Sequence, residues 1–389
     1  MELIQRKANK LIRSWLDSST SKVLVVLGAR QVGKTTLIKD VLSTKKIKYL
    51  NLDIEVDKQL FLRAASLNPK SAMDSFSNPE VVIIDEAQKL PEAGLIIKGW
   101  YDSGLSTKFI MSGSSSLNLL NQSAESLTGR NIKLYLPPLL FTEILYSQNW
   151  GISEVNNKGV EFYKKQIDSL LFSNMVFGSY PESITTQTKE DYLVNLVSDY
   201  LLKDVLYSGL IKEPQVIRRL LSLLAYQAGS EVSVSELATN LEISRITVNR
   251  YLDLLERTFV IFRLSSFGNN PRKEIVKSQK IFFWDTGVRN ALINEFNQDI
   301  NRSDVGSLWE NWIVAEFAKK IFLEGNIKKM FFWRTKTGSE VDLVIKDVDG
   351  KIKAFEIKWK GGKVTKAFTA KYGVPVELIN KDNFMDYIL

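Results

Sequence analysis

One glycine-rich segment carries the most specific chemistry in this sequence. Gly28 and Gly33 bracket the pattern G-x-x-x-x-G-K-T, which ends in Lys34 and Thr35. Glycines let such a loop fold tightly with its N–H groups turned inward, so that the loop can surround phosphates. The lysine would reach the β- and γ-phosphates of ATP, and the threonine hydroxyl would hold Mg²⁺. The candidate nucleotide-binding residues of this segment are Gly28, Ala29, Arg30, Gln31, Val32, Gly33, Lys34, Thr35 and Thr36.

The flanking residues support a phosphate-binding loop, and a second motif completes a Walker pair. A short apolar, β-branched run at 23–27 predicts a buried strand, and residues 36–42 favour a helix, which is the context that the loop requires. A similar apolar run at 81–84 ends in Asp85 and Glu86. Asp85 would hold the Mg²⁺ shell, and Glu86 would act as the general base on the attacking water.

Two further features could contact the γ-phosphate. A third predicted strand, 108–111, runs into a serine-rich segment, and we predict Ser112 and Ser114 as phosphate sensors because α/β sheets bind ligands at the carboxyl ends of their strands. A loop that caps the next helix is the alternative. Arg130 is a candidate arginine finger, in its own chain or in a neighbouring one, and a structural ion pair is its alternative.

The middle of the chain favours helices and then a winged helix-turn-helix. Ser233 and Ser244 are predicted to cap helices at 234–241 and 245–257, with strands at 260–267 and 280–284 forming a wing. Candidates for the buried face of the second helix are Ile246, Val248, Leu252 and Leu255. Candidate DNA-binding residues are Arg245, Thr247, Asn249, Arg250, Arg272 and Lys273. A packing or dimerisation module is the alternative.

Acidic residues and a lysine alternate along two predicted strands near the C-terminus. Glu340 and Asp342 share one face of a strand, and Glu356 and Lys358 share one face of the next, because side chains alternate with period two. Asp342, Glu356 and Lys358 can therefore converge across adjacent strands. A sheet edge with solvated acids and lysines is the alternative.

The amino-acid composition excludes several other kinds of catalytic and metal-binding site. The 389 residues include no cysteine and no histidine, which excludes disulfides, thiolate nucleophiles, histidine-ligated metals and imidazole catalysis. The net charge is +8, and residues 210–389 include 28 basic and 22 acidic residues, which favours a nucleic acid or an anionic surface as partner. Apolar runs are far shorter than a membrane helix needs, and the N-terminus has no signal-peptide pattern, so we expect a cytoplasmic protein without a membrane partner.

The motifs together resemble a known family. Asp-Glu-x-Gln at 85–88, Ser-Gly-Ser-Ser at 112–115, Leu-Thr-Gly-Arg at 127–130 and Pro-Leu-x-Phe-x-Glu at 138–143 resemble those of AAA-family prokaryotic P-loop ATPases with a long C-terminal region of uncharacterised function. The resemblance continues through Gly-Ser-Tyr-Pro at 178–181 and Asn-Pro-Arg-Lys at 270–273. It implies ATP and Mg²⁺ as cofactors, and it makes a homo-oligomeric ring a possible assembly.

The C-terminal pattern resembles the PD-(D/E)xK restriction-endonuclease-like fold, although no proline precedes the aspartate. The resemblance implies that Asp342 and Glu356 hold Mg²⁺ with help from Glu310, and that Lys358 acts as a catalytic residue that positions or activates water.

We therefore predict an α/β protein in four parts. An AAA-type P-loop ATPase domain at 1–143 precedes a helical lid or linker at 144–213, a winged-helix domain at 214–290 and a nuclease-like α/β domain at 300–389. The predicted function is ATP hydrolysis coupled to action on DNA, with a Mg²⁺-dependent nuclease-like domain. The alternative is a nucleotide-dependent switch or scaffold whose C-terminal domain binds DNA or a protein partner without cleaving. An ATPase-coupled repressor is a third hypothesis.

Overall fold

The computed structural model describes residues 3–113, 127–150, 161–201, 213–268, 279–325 and 328–389, with side chains described up to residue 198 in the third range. The chain divides into two compact units. The first is Gln5–Pro137, and the second is formed mainly by Pro138–Leu389. In the part of the chain that the structure describes, no helix is both long and apolar enough to cross a membrane.

The first unit is built on a parallel sheet. Its strands are β1 (Val23–Leu27), β2 (Ile47–Asn51), β3 (Val81–Asp85), β4 (Lys108–Gly113) and β5 (Asn131–Tyr135). Its helices are α1 (Ala8–Asp17), α2 (Lys34–Val41), α3 (Glu55–Ala65), α4 (Pro69–Ser75) and α5 (Ala93–Asp102), with a 3₁₀ turn at Ala87–Lys89. The strand order is β2-β3-β4-β1-β5, and each neighbouring pair is parallel. Since β1 and β3 are completely buried, their continuous apolar sequences are those expected of central parallel strands.

This topology brings the predicted motifs to one edge. In a parallel sheet the carboxyl ends of all strands lie together, and ligands bind outside that edge. The glycine loop follows β1, the acidic pair lies at the end of β3, and Ser112 lies near the end of β4. The order of strands therefore places three segments that are far apart in sequence around one point.

The second unit combines helices with a mixed sheet. Its helices are α6 (Phe141–Tyr146), α7 (Lys164–Phe177), α8 (Pro181–Thr185), α9 (Lys189–Asn195), a π-helical turn at Leu196–Leu201, α10 (Pro214–Tyr226), α11 (Val234–Leu241), α12 (Arg245–Arg257), α13 (Thr286–Leu292), α14 (Val305–Leu323), α15 (Lys366–Tyr372) and α16 (Met385–Ile388). Its strands are β6 (Glu231–Val232), β7 (Ile261–Ser266), β8 (Gln279–Phe283), β9 (Lys329–Arg334), β10 (Glu340–Lys346), β11 (Ile352–Ile357) and β12 (Val376–Ile379).

One sheet joins the regions that the sequence assigns to two separate domains. The strand order is β12-β11-β10-β9-β7-β8-β6. β7 pairs in parallel with β9, Ser265 lying opposite Phe331 and Ser266 opposite Phe332. The unpaired backbone groups at the edge of one short sheet are thus satisfied by the edge of the other. The predicted boundary between 290 and 300 falls within a unit whose sheet is continuous.

The two capped helices of the predicted helix-turn-helix are confirmed, but one buried position is wrong. The Ser233 side chain accepts a hydrogen bond from the Glu236 amide and caps α11, and Ser244 caps α12 in the same way. Ile246, predicted for the buried face, is 80% exposed. It lies two residues before buried Val248, and two residues turn a helix by about 200°, which directs the side chain away from the core.

A buried polar joint, formed by Asn174, Gly178, Ser179 and Asp285, locks α7 against α13. The Asp285 carboxylate accepts hydrogen bonds from the Ser179 amide (2.6 Å) and from the Val288 amide (3.0 Å). The Asn174 side chain donates to the Gly178 carbonyl (2.6 Å). The Gly-Ser-Tyr-Pro motif therefore has a structural role, because its backbone supplies partners for a carboxylate that is removed from water.

Gly178 tests this joint. Its φ is +70°, and a Cβ there would lie 1.9 Å from an Asp285 oxygen, whereas Gly350 has φ +82° and open space around it. We expect Gly178→Ala to lower the free energy of unfolding of this unit by more than about 3 kcal/mol. Gly350→Ala, the matched control, should cost only about 1 kcal/mol. Urea unfolding followed by tryptophan fluorescence measures both, and equal losses would contradict the role of the joint.

Candidate functional site

The two glycines of the phosphate loop are required by its geometry. A Cβ on Gly28 would lie 2.2 Å from the Leu136 carbonyl oxygen, so only glycine permits the close approach of the segment that follows β5. Gly33 has φ +92° and leads directly into α2. The loop thus turns sharply from a buried strand into a helix N-terminus, which is the position where backbone N–H groups face an anion.

Some side chains of the loop are buried in the protein core, and the Lys34 side chain lies inside the loop. Lys34 is buried, and its ammonium donates to the carbonyls of Gly28 (2.9 Å) and Ala29 (2.8 Å), so it lies inside the loop. Ala29 and Val32 are buried in the core, which leaves only their backbone groups for a ligand. Thr36 is exposed on α2.

Arg6, which was not predicted from the sequence, braces the loop. Its buried guanidinium donates to the Val32 carbonyl (2.9 Å) and to the Pro137 carbonyl (2.7 Å). The residue lies ahead of the first helix and belongs to no motif, so nothing in the sequence indicates its role. Its effect is to hold the middle of the loop against the end of the sheet.

Asp85 is the hub of the site. Its Oδ2 accepts hydrogen bonds from Thr35 Oγ1 (2.6 Å) and Tyr49 OH (2.7 Å), and its Oδ1 accepts from Ser112 Oγ (2.7 Å). Burial alone would raise the pKa of Asp85, but these three hydroxyls hold that pKa below its ordinary value. Tyr49 was not predicted, although it lies on β2, the neighbour of β3. The carboxylate stays ionised and aligned beside the Thr35 hydroxyl, which fits a Mg²⁺ ligand pair.

Glu86 is held in a special conformation next to the hub. Its φ is +51°, in the left-handed region that a non-glycine residue adopts rarely, and Gln88 Nε2 donates to its carboxylate at 2.5 Å. Burial raises the pKa of Glu86 above its ordinary value, while the charges of Lys34 and Arg30 act in the opposite direction. A strained acid with a raised pKa beside a phosphate loop has the properties of a general base.

Ser114 and Arg130 are the other two residues that the sequence predicts as contacts of the γ-phosphate. Ser114 lies outside the described residues. Arg130 precedes β5, and its carbonyl accepts from the amide of Val23 at the start of β1, at the sheet edge opposite the loop. A five-residue strand spans about 16 Å, so Arg130 lies too far from the loop to act within its own chain. Its guanidinium pairs with Asp102 at 2.6 Å on the surface. A role in a neighbouring chain stays a prediction.

The predicted C-terminal constellation is brought together, but around a lysine. Lys280 on β8 contacts Glu340 (2.6 Å), Glu310 (2.9 Å) and Asp342 (3.7 Å). Burial alone would lower the pKa of Lys280, but the three carboxylates outweigh burial and raise that pKa, so the ammonium stays charged. The sequence predicts Lys280 only as the first residue of a strand. The carboxylates that surround it come from elements distant in sequence, so no local pattern indicates this cluster.

Lys358 binds the other side of the same cluster. Its ammonium lies 2.9 Å from Glu356 Oε1 and 3.5 Å from Asp342 Oδ2, and that Asp342 oxygen also accepts from the Ile357 amide (2.8 Å). The pairing of β10 with β9 shifts register between Val341 and Val344. A bulge of this kind redirects side chains, and the sequence pattern did not predict it.

These residues do not fit the divalent site that was predicted. Lysine ammonium groups stand between the carboxylates of Glu310, Asp342 and Glu356, and within the described ranges no three acidic side chains are arranged to hold a metal ion.

The predicted DNA-binding residues of α12 mostly face outward. Arg245, Asn249 and Arg250 are exposed, whereas Thr247 is half-buried and shares a 2.9 Å hydrogen bond with Ser244. Arg272 and Lys273 lie outside the described residues. The start of α12 therefore presents a basic, polar surface.

The parallel sheet, the glycine loop and the Asp85 hub are together typical of a P-loop ATPase domain. Comparison with family models agrees, because residues 20–145 match the AAA domain. Residues 169–299 match a domain of unknown function, DUF8612, and residues 305–380 match a second one, DUF4143. The AAA match implies nucleotide binding by the first unit.

Several proteins are similar in sequence to most of this chain. An uncharacterized protein of Mycobacterium tuberculosis is 27% identical over 342 residues, which cover 86% of this chain and 70% of the relative. An uncharacterized protein of Methanocaldococcus jannaschii is 26% identical over 337 residues, which cover 84% and 72%. Among solved structures, a Walker-type ATPase of Pyrococcus abyssi covers 75% of this chain and 96% of its own, with 17% identity and a TM-score of 0.47.

Glu86→Gln should lower kcat for ATP hydrolysis by about 10²- to 10³-fold while nucleotide binding is retained, since the amide keeps the shape of the side chain but cannot take a proton. Phosphate release and equilibrium nucleotide binding measure the two effects. Glu92→Gln, an exposed carboxyl in the same region, is the control and should leave both unchanged. An active Glu86→Gln enzyme would show that another group is the base.

The pH profile tests the electrostatics of Glu86. The base works only when it is deprotonated, so kcat should fall as the pH falls through its pKa. Since Arg30 lowers that pKa, Arg30→Met should raise it and move the acid limb of the profile to higher pH. Arg63→Met, an exposed change on α3, is the control. An unmoved limb, or one at lower pH, would contradict this assignment.

Proposed function

We propose that this protein is a Mg²⁺-dependent ATPase whose nucleotide state controls the binding of duplex DNA by its second unit. The observation that carries the proposal is the Asp85 carboxylate, which gathers the hydroxyls of Thr35 and Ser112 at the phosphate loop. That arrangement supports hydrolysis rather than simple nucleotide binding, because Glu86 lies directly beside it.

The residues of the loop have separate tasks in this reaction. Backbone N–H groups of the loop and the Lys34 ammonium bind and orient the β- and γ-phosphates. Thr35 and Asp85 would hold Mg²⁺, which neutralises charge on the phosphate oxygens when bound. Ser112 keeps the Asp85 carboxylate in position from the opposite side.

Glu86 carries out the proton transfer. Its carboxylate takes a proton from the attacking water, and its raised pKa makes it a stronger base than an ordinary glutamate. The Gln88 amide, which donates to the same carboxylate, keeps Glu86 oriented. A base that is held by a neighbouring amide needs little rearrangement when a water molecule is in place.

Element order supports a winged helix as the DNA-binding part. α10, β6, α11 and α12 are followed by the strands β7 and β8, and β8 lies between β7 and β6. A short turn joins α11 to α12, which is the helix-turn-helix arrangement in which the second helix enters the major groove.

The surface of α12 has the chemistry that such a helix needs. Its first turn carries no acidic residue, and Arg245, Asn249 and Arg250 are exposed along its first two turns. Arginine contacts phosphates or guanine, and asparagine pairs with adenine. Ile246, which is 80% exposed, supplies an apolar contact of the kind that the methyl group of thymine accepts.

A paired-arginine variant tests DNA binding. Arg245→Ala/Arg250→Ala should weaken binding of a mixed-sequence duplex by about tenfold or more and should reduce the slope of log K against log salt by about 2. Arg257→Ala, at the far end of the same helix, is the matched control. Fluorescence anisotropy over a salt series, with ATP and with ADP, measures the change.

The outcomes separate the two halves of the proposal. Equal DNA binding by wild type and the paired variant would remove α12 as the DNA-binding element. If DNA neither binds nor stimulates ATP hydrolysis, while hydrolysis itself is intact, the protein is instead an ATP-dependent switch for a protein partner. Equal affinity with ATP and ADP would contradict control by nucleotide.

A further inference from the structure

A buried lysine lies at the point where three elements of the second unit meet. Lys280 comes from β8, Glu310 from α14, and Glu340 and Asp342 from β10. The Lys280 side chain is only 4% exposed. Glu310 and Glu340 lie within hydrogen-bond distance of the ammonium, and the Asp342 carboxylate adds negative charge from 3.7 Å.

The same oxygens are the ligands that a hard divalent cation would need. Mg²⁺ and Mn²⁺ are bound in proteins by carboxylate oxygens of this type. Here the positive charge in their midst is part of the chain. A metal ion that entered between Glu310 and Asp342 would take two of the three carboxylates that compensate the Lys280 ammonium and leave it only Glu340, which is unfavourable for a buried charge.

A second lysine, Lys358, pairs with other carboxylate oxygens of the cluster. Lys358 takes Glu356 Oε1 and approaches Asp342 Oδ2. Glu356 Oε2 is buried and has no hydrogen-bond partner among the described residues. Because neither lysine binds this oxygen, it is the ligand that we expect a metal ion in the wild-type protein to use, and Glu356→Gln should then weaken the binding of that ion.

We propose that Lys280 is the resident cation of this cluster, and that the second unit consequently binds no divalent metal there. The lysine fixes β8, α14 and β10 to one another, as a structural metal ion would. On this basis the nuclease-like constellation is a charge-compensated structural core and does not catalyse metal-dependent DNA cleavage. The proposal is independent of DNA binding by α12 and of ATP hydrolysis.

The first test measures metal binding by the folded full-length chain. Mn²⁺ binding is followed by electron paramagnetic resonance without nucleotide, in an Asp85→Asn background that removes the phosphate-loop site. We expect no tightly bound Mn²⁺. A bound ion that is lost on Glu356→Gln or Asp342→Asn would overturn the proposal, and this result does not depend on any Lys280 variant.

The second test removes the Lys280 ammonium and asks whether a metal ion can bind in its place. Lys280→Met removes the ammonium that Glu310, Glu340 and Asp342 share, and Lys358 and Arg334 then compensate only part of their charge. The variant should therefore melt at a lower temperature than wild type in a chelator. Millimolar Mn²⁺ should then raise its Tm by about 3 °C or more, because the ion binds only the folded state. Wild type should show no such rise, and Asp342→Asn added to Lys280→Met should abolish it.

Lys319→Met is the matched control for a lost buried lysine. Lys319 is as buried as Lys280 but pairs with a single carboxylate, Glu316. Its loss should also lower Tm, yet Mn²⁺ should not restore it, because one carboxylate does not form a metal site. A folded Lys280→Met protein with no Mn²⁺ response, or an equal response in both variants, would contradict the assignment of Lys280 as a resident cation.

Discussion

Buried carboxylates impose the constraint under which both units are built, because a charge removed from water must be compensated. Asp85 is compensated by hydroxyls from neighbouring strands and the loop, which leaves it ionised. Asp285 accepts backbone amides, and burial raises its pKa. Asp342 is compensated by two lysines. The kind of compensation determines what each carboxylate can do. The ionised Asp85 suits a metal ion that arrives with the nucleotide, whereas Asp285 and Asp342 hold helices and strands together.

Local sequence patterns predicted the elements whose formation depends on residues close together in the sequence. The glycine loop, the strand and helix that flank it, and the capping serines Ser233 and Ser244 depend on residues within a few positions, and the structure has those elements where they were expected. Strand parity also predicted that Asp342 and Glu356 lie near each other, and they do because β10 pairs with β11 in a regular antiparallel register in which Leu343 lies opposite Phe355.

The missed features depend on contacts between distant segments. Tyr49 reaches Asp85 only because β2 pairs with β3. Lys280 meets its carboxylates because β7 pairs with β9, and no periodicity in the sequence predicts that pairing. Arg130 has the right residue type for a finger, but strand direction carries it away from the phosphate loop of its own chain. Residue type and spacing therefore indicated which chemistry was available, and sheet topology decided which residues meet.

The continuous sheet of the second unit has a consequence for synthesis of the chain. β7 ends at Ser266, and its parallel partner β9 begins only at Lys329. The first unit, Gln5–Pro137, can fold while most of the second is still to be made. The sheet, by contrast, cannot close until its last strands have left the ribosome, and pairing over such separations is slow. The newborn protein would thus acquire its nucleotide-binding unit before its second unit, with an open strand edge in the interval.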